Sequence, residues 1–185
     1  IDAAKTKPFG YMPFYPGHGL GGHCIPIDPF YLSWKAKQQG VDARFIELAG
    51  EVNNSMPDYV ISRCEELLKQ HDKTIEGSRV LIFGLAYKPN VDDDRESPSY
   101  VLMDKLESLG AEVDYHDPHI PVIQPNREYK RFAGRESIAP NSSYDLFLLV
   151  TDHKEFSFRY LSEWGVPVVD TRHLADEESD KWKMA

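Results

Sequence analysis

Residues 79–84 read Arg79-Val80-Leu81-Ile82-Phe83-Gly84. Four apolar residues in a row, with no polar alternation, suit a strand buried on both faces, as strands of parallel sheets are. Gly84 closes the run. Downstream, Ser97 is placed to cap a helix, Pro98 takes its first position and Gly110 lies past its end. Ala111–Tyr115 then reads as a strand stopped by Asp117-Pro118, and residues 118–142 as a proline-rich polar connection. Leu146–Val150 is another fully apolar strand, Phe156–Trp164 a short helix and Val166–Asp170 a last strand. From Ala175 onward the tail is charged and is expected to fray. Continuous apolar strands separated by helices predict an α/β fold with a Rossmann-like parallel sheet. Ligands of such sheets sit beyond the carboxyl ends of the strands, here Gly84–Asp94, Thr151–His153 and Asp170–Arg172.

Upstream of the sheet the pattern differs. Residues 8–29 contain five prolines, and five glycines lie between residues 10 and 22. That density excludes a long helix. A helix is expected from Pro29 to Gly40. A longer one spans about Arg44 to Gln70, where Phe45, Leu48, Val52, Met56, Val60, Cys64 and Leu67 recur every three or four residues. Pro57 breaks it, kinks it, or starts a second segment at Ser55. A helix of that length needs a large apolar partner, in another domain or another subunit. Ile1–Lys5 reads as the tail of a helix and lacks an initiator Met, which suggests a fragment whose N-terminal part is missing. The expected division is a helical region with a Gly-rich loop over 1–75 and an α/β domain over 76–185, so the Rossmann-like sheet is preceded by the Gly-rich loop and the long helical segment.

Composition narrows the function classes. The chain has 185 residues and a formal charge of −9, with 41% hydrophobic and 28% charged residues. A net negative chain argues against general nucleic-acid binding, since phosphate backbones need a basic face. No apolar run approaches the roughly 20 residues of a membrane span. Two cysteines are too few for a disulfide-stapled secreted scaffold, and a cytoplasmic protein is expected.

Two stretches concentrate chemistry. The first is Phe14-Tyr-Pro-Gly-His-Gly-Leu-Gly-Gly-His-Cys-Ile-Pro-Ile-Asp-Pro29. Its glycines let backbone approach a ligand closely, and exposed amides in such a loop cradle phosphate or an oxyanion. Cys24, with His23 beside it and Asp28 four residues on, is a candidate nucleophile. The alternative is a loop with a buried, inert Cys. Zinc ligation by His18, His23, Cys24 and Asp28 matches none of the usual spacings, so no metal is expected. Cys64, at helical spacing with Val60, Leu67 and Leu68, belongs to an apolar stripe and reads as packing. The second stretch is Phe83-Gly-Leu-Ala-Tyr-Lys-Pro-Asn-Val-Asp-Asp-Asp-Arg-Glu-Ser97. Lys88 and Arg95 there are suited to phosphates or a partner's carboxylate. The alternative is a solvated loop that only precedes the next helix. Gly-Leu-Ala is not GxGxxG, so the dinucleotide fingerprint is absent. Arg172 follows the last strand and faces the same choice. Asp152-His153 follows another strand, where a lone His is more often structural.

Together these segments resemble the C-terminal half of the nucleotide-sugar 6-dehydrogenases, the UDP-glucose/GDP-mannose dehydrogenase family. The motifs are Gly17-x-Gly-x-Gly-Gly-His-Cys-Ile-Pro-Ile-Asp28, Phe45–Asn53, Gly84-x-Ala-Tyr-Lys-Pro-Asn-x-Asp-Asp-x-Arg-Glu-Ser-Pro98 and Val169-Asp-Thr-Arg172, in the family's order. His23 and Ile25-Pro-Ile27 are similar to the bacterial branch acting on UDP-N-acetylglucosamine, with UDP-glucose oxidation the alternative. The resemblance implies Cys24 as catalytic nucleophile and Asp28 as its helper in water activation. It implies substrate contacts from Tyr15, Gly17, Gly19, Gly21, Tyr87, Lys88 and Arg172. Cys24, Ile27 and Arg95 would lie near an NAD cofactor. The partners implied are a UDP-sugar, a second copy of the chain in a homodimer, and an N-terminal NAD-binding domain absent here, with uronic-acid sugars for surface polysaccharide as the destination. Without that domain the chain alone is expected to be an inactive fragment. The rival readings are a non-catalytic nucleotide-sugar-binding and dimerisation module, and a Cys-dependent acyl hydrolase using His18 or His23.

Overall fold

The computed structural model describes residues 1–175 and 178–185. The elements are α1 (Asp2–Lys5), α2 (Asp28–Gln38), α3 (Arg44–Gln70), β1 (Arg79–Phe83), α4 (Pro98–Ser108), β2 (Glu112–His116), a 3-10 turn at Lys130–Phe132, β3 (Leu146–Leu149), α5 (Phe158–Ser162), β4 (Val168–Asp170) and β5 (Trp182–Met184). The strands form one parallel sheet in the order β2-β1-β3-β4-β5. This is the expected α/β, Rossmann-like arrangement, with β1 and β3 as the central pair.

Both sheet faces are covered, as the apolar runs require. Val80 and Ile82 point into a core with α3, α4, Tyr115 and Phe132. Leu81 and Phe83 point the other way, onto Phe147, Phe156, Leu161 and Trp182. The alternation is the period of two along a strand. Helix α4 begins as expected: Ser97 accepts a hydrogen bond from the Ser99 N–H and Pro98 occupies the first turn.

Helix α3 runs unbroken through Pro57. The missing Pro57 N–H removes one helical hydrogen bond, yet the helix continues because its second half is locked into the sheet core. Val60, Cys64, Leu67 and Leu68 are fully buried there. The first half packs on α2, where a Cβ at Gly50 would meet the Phe30 ring at 2.5 Å. Much of its apolar stripe stays open, with Phe45 89% exposed and Leu48 and Val52 each 54%.

The tail departs from expectation. It adds β5 beside β4 rather than fraying. Trp182 is buried, and its indole N–H donates to the Asp170 carboxylate at 3.0 Å, which supplies the anchor. Helix α5 is also shorter than its apolar pattern suggested. Phe156 belongs to the core, and Ser157 caps the helix by accepting from the Tyr160 N–H.

Candidate functional site

The chain leaves β1 toward β2 on one side, while β3 leads to β4 on the other. The carboxyl ends of β1 and β3 therefore flank the switch point where α/β sheets place ligands. The two ends touch: at Gly84, with φ +88°, a Cβ would lie 2.4 Å from Thr151 Cβ. Thr151 Oγ1 donates to the Ala86 carbonyl at 2.6 Å.

A buried carboxylate organises this crevice. Asp117, just past β2, accepts from the amides of Leu85 (2.7 Å) and Ala86 (3.0 Å) and from His153 Nε2 (3.0 Å) on one oxygen. Its other oxygen accepts from the amides of His119 (2.7 Å) and Ile120 (3.1 Å). Burial alone would push its pKa up, but the His153 N–H and the backbone amides outweigh that and hold it at about 2. With Nε2 donating, His153 Nδ1 accepts from the Asn90 N–H at 2.9 Å. Asn90, at φ +61°, accepts in turn from the Lys154 N–H. Strand ends β1, β2 and β3 are thus tied together, and residues 85–90, which carry Tyr87 and Lys88, are held by backbone.

The Gly-rich loop docks on this platform. The Gly22 N–H donates to the Arg95 carbonyl at 3.1 Å. A Cβ at Gly21 would fall 2.7 Å from Tyr87 Cβ and 2.9 Å from the Glu96 carbonyl oxygen, and one at Gly22 (φ +86°) would sit 2.9 Å from the Tyr87 ring. Glycine is required at both because the backbone lies directly on a side chain. His18 is buried, and its Nδ1 lies 3.0 Å from Thr171 Oγ1. Beside it, a Cβ at Gly17 would be 3.4 Å from Arg172 Nη1.

Arg172 is presented by a rigid turn. Fully buried Asp170 accepts from the amides of Arg172 (2.8 Å) and Leu174 (2.7 Å) as well as from Trp182. Arg172 Nε donates to Asp152 at 2.8 Å. Its guanidinium lines a cleft of about 750 Å³ whose walls include Tyr15, Gly17, Gly19, Phe45 and Met56. On the far side of the loop, Gly22, His23, Arg95, Asn126 and Tyr129 line a cavity of about 340 Å³.

The structure divides the sequence-predicted residues into groups. Tyr15, Gly17, Gly19 and Arg172 share the large cleft, and the Tyr15 hydroxyl also accepts from Lys5 (2.9 Å) and donates to Asp2 (2.8 Å). Gly21 and Tyr87 form the contact beneath the loop. Arg95 faces the second cavity, with both arms of its fork on Asp93 at 2.9 and 2.6 Å. Cys24 is exposed and free, with Sγ 4.0 Å from His23 Nδ1. Its carbonyl accepts from the amides of Ile27 (3.1 Å) and Asp28 (2.8 Å), so Cys24 heads the turn into α2. Ile27 and Asp28 are exposed on that turn. Lys88 is exposed, its Nζ 5.2 Å from the Tyr87 ring centre, and it makes no ion pair among the described residues. Cys64 is buried, and burial pushes its thiol up to about 12.

The four loop residues weighed as zinc ligands are not gathered: His18 turns inward while His23, Cys24 and Asp28 face solvent. Another group, His119, His153 and Glu155, offers ligand atoms within 4.8 Å of one another. Both ring nitrogens of His153 are already engaged, so that group does not present a free third ligand. Sequence reasoning gave no site role to Asp117, and included Asn90 and Thr171 only within the strand-end segments Gly84–Asp94 and Asp170–Arg172. The signal was positional: each lies at or just after the end of a strand or its loop. No helix among the described residues is long and apolar enough to cross a membrane.

Comparison with known proteins agrees with this geometry. Residues 81–177 match the UDP-binding domain of the UDP-glucose/GDP-mannose dehydrogenase family, and residues 1–55 match its central domain. UDP-N-acetyl-D-glucosamine 6-dehydrogenase of Pseudomonas aeruginosa is 30% identical over 195 residues, covering 100% of this chain and 44% of that protein. UDP-N-acetyl-D-mannosamine dehydrogenase of Methanococcus vannielii is 40% identical over 141 residues, covering 76% of this chain and 30% of that protein. The solved UDP-D-ManNAc dehydrogenase of Pyrococcus horikoshii superposes with a TM-score of 0.76 at 25% identity, over 100% of this chain and 42% of that one. The chain therefore spans less than half the length of these relatives. The UDP-binding match alone covers about half of the chain and includes the loops after β1, β3 and β4, so the chain belongs to the UDP-glucose/GDP-mannose dehydrogenase family.

Proposed function

We propose that this chain supplies the UDP-sugar site and the nucleophile of an NAD-dependent UDP-sugar 6-dehydrogenase, with UDP-N-acetylglucosamine as substrate. The observation that carries this reading is the docked Gly-rich loop. It lies on Tyr87 and against Arg172, forming one wall of the 750 Å³ cleft and ending at an exposed Cys24. That volume suits a nucleotide-sized ligand. Arg172 meets its diphosphate as a charge-assisted donor, and Lys88, which makes no ion pair among the described residues, supplies a second cation at the sheet edge.

The reaction takes a C6 alcohol to a carboxylate, a four-electron oxidation in which the carbon loses a hydride twice. NAD+, when bound, accepts each hydride. Cys24 acts between the two losses. Its thiolate adds to the C6 aldehyde carbon, forming a C–S bond, and the carbonyl oxygen takes up a proton, giving a thiohemiacetal. After the second hydride leaves with that oxygen's proton, C6 is a thioester. Water then attacks the thioester carbon, the C–S bond breaks, and the thiol and the carboxylic acid are released. Asp28, four residues on and at the same helix start, takes the proton of the attacking water. Holding the aldehyde covalently prevents its escape.

The chain's own first strand-to-helix connection does not fit a dinucleotide. Gly84-Leu-Ala-Tyr-Lys-Pro lacks the glycine fingerprint, and the α4 start is occupied by the Ser97 side chain. NAD is therefore assigned to an N-terminal domain of the full-length protein, with Cys24, Ile27 and Arg95 at its nicotinamide side. On this reading residues 1–75 complete the central region and 76–185 form the UDP-sugar-binding domain. The exposed apolar half of α3 supports its covering by a second copy in a homodimer. A cytoplasmic site of action fits two free thiols.

Calorimetric titration of this chain with UDP, UDP-N-acetylglucosamine and NAD+ tests the binding half: the two uridine ligands bind and NAD+ does not. Cys24→Ser in the full-length enzyme tests the chemistry. It should abolish uronic-acid formation, because a serine alkoxide is far harder to form near neutral pH. NAD+ binding with no response to UDP, or normal turnover by the serine variant, would refute the assignment.

A further inference from the structure

We infer that His18 is a positioning residue: its ring pins the Gly-rich loop to the turn after β4 and so fixes the loop beside the Arg172 guanidinium that receives the anionic part of the substrate. The inference rests on the function proposed above, and it concerns a residue to which no role in that reaction was given.

Between residues 11 and 24, His18 and Gly22 are the two buried positions. The loop is thus held at two points. Gly22 is held by backbone, through its N–H on the Arg95 carbonyl and its contact with the Tyr87 ring. The other point is a side chain. Thr171 Oγ1 donates its hydrogen to the Leu149 carbonyl at 2.9 Å, so toward His18 it can only accept. His18 Nδ1 must therefore carry the proton in the 3.0 Å contact, which fixes the ring as a donor at Nδ1. Glycines flank it on both sides, and Gly19 sits at φ +136°. Residues 17–19 have no other side chain with which to anchor. An unpinned glycine-rich segment has many backbone states to lose on binding, which weakens affinity.

The neighbouring charge makes the neutral ring significant. Burial, with the Arg172 guanidinium adding to it, pushes His18 down to about 3. The ring is neutral at physiological pH and adds no charge beside Arg172. Arg172 is itself oriented from behind by Asp152 at 2.8 Å and from its own amide by Asp170 at 2.8 Å. Its Nη1 then lies against Gly17, 3.4 Å from where a Cβ there would stand. His18 to Thr171 and Arg172 to Asp152 are parallel ties on adjacent residues of one turn. The first sets the loop and the second sets the cation, so the spacing between them is determined by protein contacts before ligand arrives.

The test compares His18→Leu, which fills the space without a donor, with His18→Asn, whose side-chain N–H stands in for Nδ1–H. UDP affinity is measured by calorimetry, KM and kcat for the UDP-sugar in the full-length enzyme, and amide hydrogen exchange without ligand at Gly22, the loop amide bonded to the Arg95 carbonyl. His18→Leu should raise the UDP Kd and the KM about tenfold, the loss of one pre-formed hydrogen bond and its ordering. It should also speed exchange at Gly22, and leave kcat within about threefold and Tm near that of the parent protein. His18→Asn should restore both affinity and exchange. Thr171→Val removes the acceptor, and combined with His18→Leu it should be no worse than either alone. Unchanged affinity and exchange in His18→Leu, an Asn variant as impaired as Leu, or additive losses in the double variant would overturn the inference. Should the parent protein not bind UDP at all, the proposed function fails instead, while the exchange data still decide whether His18 pins the loop.

Discussion

Replacing Asp117 with Asn tests whether the crevice is built around a charge or merely around a shape. The two side chains are nearly isosteric. The carboxylate accepts five hydrogen bonds, three on one oxygen and two on the other. In Asp117→Asn one oxygen becomes an NH2 group and must face N–H donors. The least harmful choice sets it against the amides of His119 and Ile120, which loses two charge-assisted bonds and leaves donors opposed. At roughly 1.5–3 kcal/mol for each hydrogen bond to a charged group, the loss is about 3–6 kcal/mol. The pH dependence gives a second handle. Asp117 titrates at about 2 in the folded chain, below the ordinary 3.8. Its stabilisation is therefore complete above pH ~4 and is lost as pH falls toward 2, amounting to about 2 kcal/mol. The mutational loss is larger because a protonated carboxyl keeps some acceptor capacity in place, whereas the amide reverses it. Urea denaturation at pH 7 should show the lower midpoint, and the gap between parent and variant should narrow between pH 4 and 2. A loss below about 1 kcal/mol at pH 7, or a gap independent of pH over that window, would show that Asp117 is not an ionised organiser.

Two further outcomes follow from the packing around the loop. Gly21→Ala places a Cβ at 2.7 Å from Tyr87 Cβ and 2.9 Å from the Glu96 carbonyl, so the loop must lift. It should cost roughly 1–3 kcal/mol in denaturation and weaken UDP binding in calorimetry at least about tenfold, whereas an unchanged variant would mean the docking is not tight. Treatment with iodoacetamide should modify Cys24 in the folded chain and Cys64 only after unfolding, as read by mass spectrometry of peptides; early labelling of Cys64 would contradict its burial.

Much of the fold was legible because the sheet is buried on both sides. A strand such as Leu146–Leu149 has no polar face to blur its pattern, and Ser97-Pro98 announces a helix start by local chemistry alone. What escaped depends on partners distant in sequence. Strand β5 has charged neighbours on both sides of Trp182, and its place is set by the indole N–H reaching Asp170, twelve residues away. Pro57 reads as a break, a kink or a fresh start at Ser55 because the rule is local. The packing that overrides it comes from Val60, Cys64, Leu67 and Leu68 against a sheet that begins only later. In the site the same division holds. The glycines and Cys24 stood out by density, while Asp117, a single carboxylate before a proline, showed nothing of the five donors that converge on it. Its His153 partner lies 36 residues further on. In sequence His18 reads only as a zinc ligand or as a rival hydrolase's base, because its acceptor, Thr171, lies 153 positions away.

The charge distribution bears on how such a site admits an anionic ligand. With a net charge of −9 the chain repels an anion at long range. At physiological salt that field fades beyond about 8 Å, so capture depends on the nearest cations. Among those at the sheet edge, Arg95 is engaged by Asp93 and Arg172 by Asp152. Lys88 makes no ion pair among the described residues, and it stands on the segment that Asp117 and His153 hold rigid. A flexible, unpaired ammonium is suited to the first encounter, since its charge is not shared and its stem can reach. Arg172 is suited to the bound state: its guanidinium is already oriented, so little freedom is lost when it closes on an anion. On the proposed function, the paired arginine and a lysine without an ion pair among the described residues divide placement from capture, while the glycine loop is tied at His18 and Gly22.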